Sequence, residues 1–202
     1  SEIERIERLL KQLLMHSHPM PIKSQSFNLH ELLDTVLSFE RSSHPGLRFT
    51  AYYDASLPDI EADRDKLHQV FLNLVRNASE ACPADGRVRV LTRHCAHWEL
   101  AGTNLDPTRR YILVSIEDEG PGIPEELRKN IFKPLFSTKK QGTGLGLSIS
   151  FRLVESHGGQ LRYQPSERSG ACFQVILPES QSEPLEENSP NFVYQDLRKE
   201  IS

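Results

Sequence analysis

The order in which helical and strand-like segments follow one another most limits what this chain can fold into. Apolar residues recur at helical spacing over 28–41, over 63–81 and again over about 145–156. Segments of strand character cover 47–53, 87–92, 111–117, 160–163 and 171–177. Strands follow strands as hairpins, so the regular β–α–β alternation of a doubly wound sheet is excluded. The pattern predicts an α+β fold, a two-layer α/β sandwich in which helices cover one face of a mixed sheet.

Local signals place the ends of these elements. Asn28 and Glu31 form a capping-box pattern before a helix that turns Leu29, Leu32, Leu33, Val36 and Leu37 inward. Asp63 or Asp65 caps the next helix, which runs through Ala81 and is stopped by Pro83 and Gly86. Its buried stripe is expected to be Leu67, Val70, Phe71, Leu74, Ala78 and Ala81. Gly102, Asn104, Asp106 and Pro107 lie in a polar connection expected to be an extended hairpin, a short helix is expected at Glu125–Lys129, and Gly158-Gly159 ends the last helix.

The ends of the chain differ in character from its middle. Ile3, Ile6, Leu9, Leu10, Leu13 and Leu14 put one apolar face on a helix over 1–15, which reads as the severed end of a helical bundle. His16 to Ser26 reads as a linker, and residues 179–202, rich in Glu, Ser and Pro, read as a disordered tail. The expected division is therefore 1–22, 23–178 and 179–202.

Composition removes several functions. A net charge of -4 supplies no excess of basic groups for nucleic acid. Cys82, Cys95 and Cys172 lack C-x-x-C spacing, which suits reduced thiols in the cytoplasm better than a disulfide framework or zinc. No apolar run approaches the ~18–20 residues that cross a bilayer, so no direct membrane contact is expected.

Four segments carry chemistry. In 68–81, Asn73 and Asn77 lie one turn apart, and an amide oxygen suits a hard Mg²⁺ already neutralised by phosphates; alone, this helix reads more simply as bearing two solvated asparagines. Glu117-Asp118-Glu119-Gly120-Pro121-Gly122-Ile123-Pro124 sets a carboxylate at a strand end beside open backbone, where a base with an exocyclic amine can lie close; an acidic turn is the plainer alternative. Ile131 to Lys140 places Phe132 and Phe136 before a short cationic loop, a hinge with a mobile cover or simply an anchored charge run. Gly142-Thr143-Gly144-Leu145-Gly146-Leu147-Ser148 opens an apolar helix, whose N-terminal N–H groups favour phosphate. Neither the G-x-x-x-x-G-K-[ST] P-loop nor a strand-first dinucleotide fingerprint is present.

In this order the four segments resemble the N, G1, F and G2 boxes of the histidine-kinase branch of the ATPase superfamily that also holds gyrase B, the Hsp90 chaperones and MutL. Ser169 to Pro178 resembles that family's closing strand, and the resemblance covers about 28–178. It implies a Bergerat-type sandwich with ATP held between the N-box helix and a lid. By that resemblance Asn77 coordinates Mg²⁺, Asn73 supports the phosphates, and Lys139 approaches the γ-phosphate, Asn73 and Lys139 being the catalytic candidates. Asp118 binds adenine, Gly120, Gly122 and Ile123 line the base, and Thr143, Gly144, Leu145, Gly146 and Leu147 hold phosphates. Glu80, Ala81 and Phe136 complete the nucleotide set. The long hairpin before Tyr111 and the short lid are similar to those of the nitrogen-regulation sensor kinases.

The implied activity is transfer of the ATP γ-phosphate to a histidine on the parent's own dimerisation domain, for relay to a response regulator. Hydrolases of this family usually carry Glu where Asn73 stands, and Asn73 is no base at neutral pH. His30-Glu31 opens like an acceptor motif, but Leu32-Leu33-Asp34-Thr35 does not continue it, and none of the other seven histidines has that context. The acceptor is therefore expected outside this chain. Two alternatives stand beside this reading: a related Ser/Thr or anti-sigma kinase, which the N-terminal helix disfavours, and a nonenzymatic nucleotide-binding interaction module, which four intact boxes disfavour.

Overall fold

A computed structural model describes residues 22–139, 142–166 and 170–179. The helix expected over 1–15, Lys140, Gln141, Ser169 and the tail from 180 onward lie outside the described residues. Five strands form one sheet: β2 (Arg48–Tyr53), β4 (Arg87–His94), β5 (Tyr111–Asp118), β6 (Gln160–Pro165) and β7 (Ala171–Pro178). Their spatial order is β2-β4-β5-β7-β6, with β2 and β4 parallel and the other neighbours antiparallel. The sheet is mixed, as the segment order predicts.

Three helices supply the second layer: α1 (Leu29–Ser43), α2 (Arg64–Ala81) and α4 (Gly146–Ser156), with the single turn α3 (Glu125–Arg128) beside them. Successive side chains of a strand point to opposite faces, so Ile112, Val114 and Ile116 of β5 and Phe173, Val175 and Leu177 of β7 meet the helices in one core. On the other face Tyr111, Leu113 and Ile176 form a smaller cluster with Leu100. Leu100 arrives on a 3-10 turn (His97–Leu100) within the β4–β5 connection, where the sequence shows only a polar hairpin. Buried Glu99 anchors that turn through a two-pronged bond to Arg93, at 2.5 and 2.7 Å.

The helix caps follow the sequence. Asn28 accepts from the N–H groups of His30 and Glu31, and Asp63, not Asp65, caps α2 by accepting from Lys66 N. All five residues expected to face inward on α1 are buried, and so is Glu40. The α2 stripe holds except at Ala81, which is half-buried because it borders a cleft. The linker needs a second correction. Its last residues, Gln25 and Ser26, belong to β1 (Gln25–Phe27), which pairs antiparallel with β3 (Ile60–Ala62). Three residues are too few for a period of two to show in the sequence.

His157, which has no acceptor context in the sequence, locks α4 to α2. Its Nδ1 is 2.6 Å from Leu153 O and its Nε2 accepts from Asp63 N at 3.1 Å, so the ring is neutral with its proton on Nδ1. Burial holds its pKa below the ordinary 6.5, against the opposing pull of Leu153 O and Asp63. A base with a depressed folded pKa stabilises the fold fully above 6.5, and the contribution is lost as pH falls below 6.5 towards the folded value. His30, also lowered by burial, adds in the same direction. Urea midpoints should therefore fall between pH 7 and pH 5, and His157→Gln should flatten that slope. An identical slope in His157→Gln would remove the assignment.

Candidate functional site

The cleft between α2, the end of β5 and the start of α4 encloses about 640 Å³. It gathers most of the residues singled out in the sequence. Asn73, Asn77, Glu80 and Ala81 line it from α2. Asp118, Gly122 and Ile123 line it from the strand end, and Phe136 and Lys139 from the loop after Ile131. Thr143, Gly144, Gly146 and Leu147 close it. Gly120 and Leu145 are absent from its wall.

Their absence has physical causes. Gly120 is a spacer: a Cβ there would lie 2.6 Å from Ala81 O and 2.8 Å from Asp118 Oδ1. Leu145 is fully buried in the main core and anchors the start of α4. Phe132 anchors the loop likewise, its ring 5.2 Å from that of Phe151.

The acidic run sorts itself by strand alternation. Arg89 on β4 takes Glu117 at 3.4 Å and Glu119 at 2.7 Å, while Asp118 turns inward and is 3 % exposed. Asp118 Oδ1 accepts from Gly120 N at 2.8 Å and from Ala171 N at 3.2 Å. No donor among the described residues reaches Oδ2, which leaves one buried acceptor for an occupant of the cleft. Burial raises the carboxyl's pKa, and the two backbone bonds oppose that rise.

The other end of the cleft is built from amides and backbone. Asn73 Nδ2 donates to Ser150 Oγ on α4 at 3.0 Å. Gly146 meets the same asparagine closely, since a Cβ there would lie 2.3 Å from Asn73 Oδ1. The first turn of α4 has no side-chain cap, so its N–H groups stand available to an anion. Gly144, with φ of +68°, lets the preceding loop pack on the backbone of Leu135.

Lys139 reaches from its loop to α2. Its Nζ donates to Asn77 Oδ1 at 3.1 Å and forms an ion pair with Glu80 Oε2. A cation thus already rests on the amide oxygen assigned to a metal. Sequence reasoning also missed Arg76, Leu127, Ile131 and Phe173, all in the cleft wall. The apolar three come together only through the tertiary fold, whereas Arg76 has a local signal, three residues beyond Asn73.

Comparison with known proteins gives one picture. Residues 62–181 match the family described as histidine kinase-, DNA gyrase B-, and HSP90-like ATPase. The sensory histidine kinase/phosphatase NtrB of Azospirillum brasilense is 36 % identical over 180 residues, which cover 88 % of this chain and 45 % of that protein. The catalytic domain of histidine kinase ThkA, at 32 % identity, matches with a TM-score of 0.67 over 78 % of this chain and 97 % of its own. ThkA solved with the response regulator TrrA, at 31 % identity, gives 0.68 over 88 % of this chain and 48 % of its own. The chain spans about half the length of the curated relatives it matches.

Proposed function

Because the chain belongs to the histidine kinase-, DNA gyrase B- and HSP90-like ATPase family, we propose that it is the ATP-binding catalytic domain of a sensor histidine kinase. It passes the γ-phosphate of ATP to a histidine on the parent's dimerisation domain, outside this chain, for relay to a response regulator. The likeness to NtrB and to ThkA, a kinase solved with a response regulator, supports that choice within the family.

The carrying observation is the kind of group at each end of the cleft. Among the described residues its carboxylates are Asp118, held by backbone N–H groups, and Glu80, paired with Lys139. At the phosphate end stands Asn73, a neutral amide whose nitrogen donates to Ser150. Among the described residues no free carboxylate is placed there to activate water, so the cleft favours holding ATP for an incoming nucleophile over hydrolysing it. In this reading Asp118 Oδ2 accepts the adenine amine, Gly122 and Ile123 lie against the base, and Thr143, Gly144, Gly146 and Leu147 present backbone N–H groups to the phosphates. Phosphoryl transfer then rests on positioning and on neutralising charge.

Asn77 fits Mg²⁺, because its Oδ1 and Glu80 already accept a cation in the form of the Lys139 ammonium. When bound, the metal supplies neutralisation of phosphate charge. Lys139, released from Asn77, is then free to reach the terminal phosphate. Among the described residues none that lines the cleft is a histidine. Among the described residues no helix is long and apolar enough to cross a membrane.

Incubation with γ-labelled ATP tests this, with the chain alone and with a separate fragment carrying the parent's dimerisation helices. The chain alone should stay unlabelled, and the fragment should acquire a label that acid removes. Equal self-labelling, or an acid-stable label, would replace the histidine kinase reading with one of a Ser/Thr kinase.

A further inference from the structure

Burying a carboxylate is costly unless its charge is matched. Glu40 on α1 is fully buried, yet it lies outside the cleft wall. Its Oε1 accepts from Arg76 Nε at 3.3 Å. His44 Nδ1 lies 3.1 Å from Oε2, but neither of those two atoms has a formed hydrogen bond. Among the described residues, the side-chain bond to this buried carboxylate therefore comes from Arg76.

Arg76 is a different kind of residue. Its side chain is 47 % exposed, it lines the cleft, and its guanidinium carbon is 5.9 Å from the centre of the Phe39 ring. The bond through Nε and the contact with the ring together restrain the guanidinium. Nη1 and Nη2 are left over, and no acceptor among the described residues takes them. Along α2, Arg76 falls between Asn73 and Asn77, about 7–8 Å of helix from Ala81 at the Asp118 end. It occupies the phosphate half of the cleft, on the side facing α1. A lysine or arginine kept only for surface charge needs no buried carboxylate behind it.

We propose that Arg76 binds the terminal phosphate of ATP and that Glu40 is its positioning residue. The proposal rests on the ATP reading above and adds to it a binding residue and the group that aims it.

Calorimetric titration of the whole chain with ATP, ADP and AMP in the presence of Mg²⁺ tests it. Hydrogen bonds to charged groups imply that Arg76→Ala should weaken ATP by about 10- to 100-fold, with ADP and AMP little changed. Arg76→Lys keeps the charge without the edge-on bond, so it should recover only part of the loss. Glu40→Gln should weaken ATP in the same direction and have no further effect in the Arg76→Ala background, which a purely structural glutamate would not show. Equal losses for ATP and ADP in Arg76→Ala, or none, overturn the phosphate assignment. Full recovery by Arg76→Lys, or additive losses in the double variant, overturns the role given to Glu40. A wild-type chain that binds no adenine nucleotide overturns the ATP reading itself, and the first titration shows this before any variant is made.

Discussion

Asp118→Asn should lower ATP affinity by about 10- to 100-fold, the cost of a buried hydrogen bond replaced by a clash of donors, while leaving the fold intact. The reason lies in how the two oxygens are used. Oδ1 accepts from Gly120 N and Ala171 N, and Oδ2 has no partner among the described residues. An asparagine that keeps its oxygen towards Gly120 and Ala171 turns an NH₂ on the adenine amine. Flipped, it offers adenine an oxygen but sets its NH₂ against two backbone donors. Both arrangements lose a bond where ATP binds.

Stability should not follow affinity. Burial raises the Asp118 pKa above its ordinary 3.8. A carboxyl with a raised pKa favours the fold most below that ordinary value, and the benefit is lost as pH climbs through the raised one. At neutral pH, removing the charge relieves the fold. Titration with ATP and GTP beside a thermal melt checks both halves. Unchanged ATP affinity in Asp118→Asn would sink the assignment of this residue to the base.

Gly170→Ala should be the most damaging of the glycine substitutions near the cleft. The residue has a φ of +87°, and a Cβ on it would lie 2.0 Å from Asp118 O and 2.7 Å from Asp118 Oδ1. The first contact is with backbone and cannot rotate away. Left-handed strain and overpacking together imply a loss of roughly 2–5 kcal/mol. Gly102 makes the comparison, since its φ is +77° but nothing lies within 4 Å of a Cβ there. Its alanine variant should lose only the conformational part, about 1–2 kcal/mol. Urea unfolding of the two variants decides the matter: equal losses would mean that the approach of Gly170 to Asp118 has no energetic weight.

Much of this molecule is legible because its signals are local. A cap and the stripe behind it fall within one helix, as in Asp63 with Leu67, Val70 and Phe71. The acid-then-glycine run after β5 and the glycines before α4 are equally self-contained, and both border the cleft. What stayed hidden needs two distant segments. β1 and β3 are three residues each and are defined only by pairing with one another. Ala81 sits at a stripe position, yet the backbone of Gly120 approaches its carbonyl at the cleft's edge. Leu145 occupies a phosphate-loop position in the sequence, but its side chain is drawn into the core. Arg76 shows nothing of Glu40, which is 36 residues away, and His157 shows nothing of Asp63.

The parallel pairing of β2 with β4 obliges the chain to leave one end of the sheet and re-enter at the other. Residues 54–86 make that return, and α2 is the greater part of it. The asparagines that face the cleft therefore ride on the connection that lets the edge strand join. The loop's closure entropy is recovered only when β2 docks, so edge strand and asparagines are gained in one cooperative step. A circular permutant opened within 54–63 would surrender both. One opened at 102–107, in the exposed turn between antiparallel neighbours, would keep them.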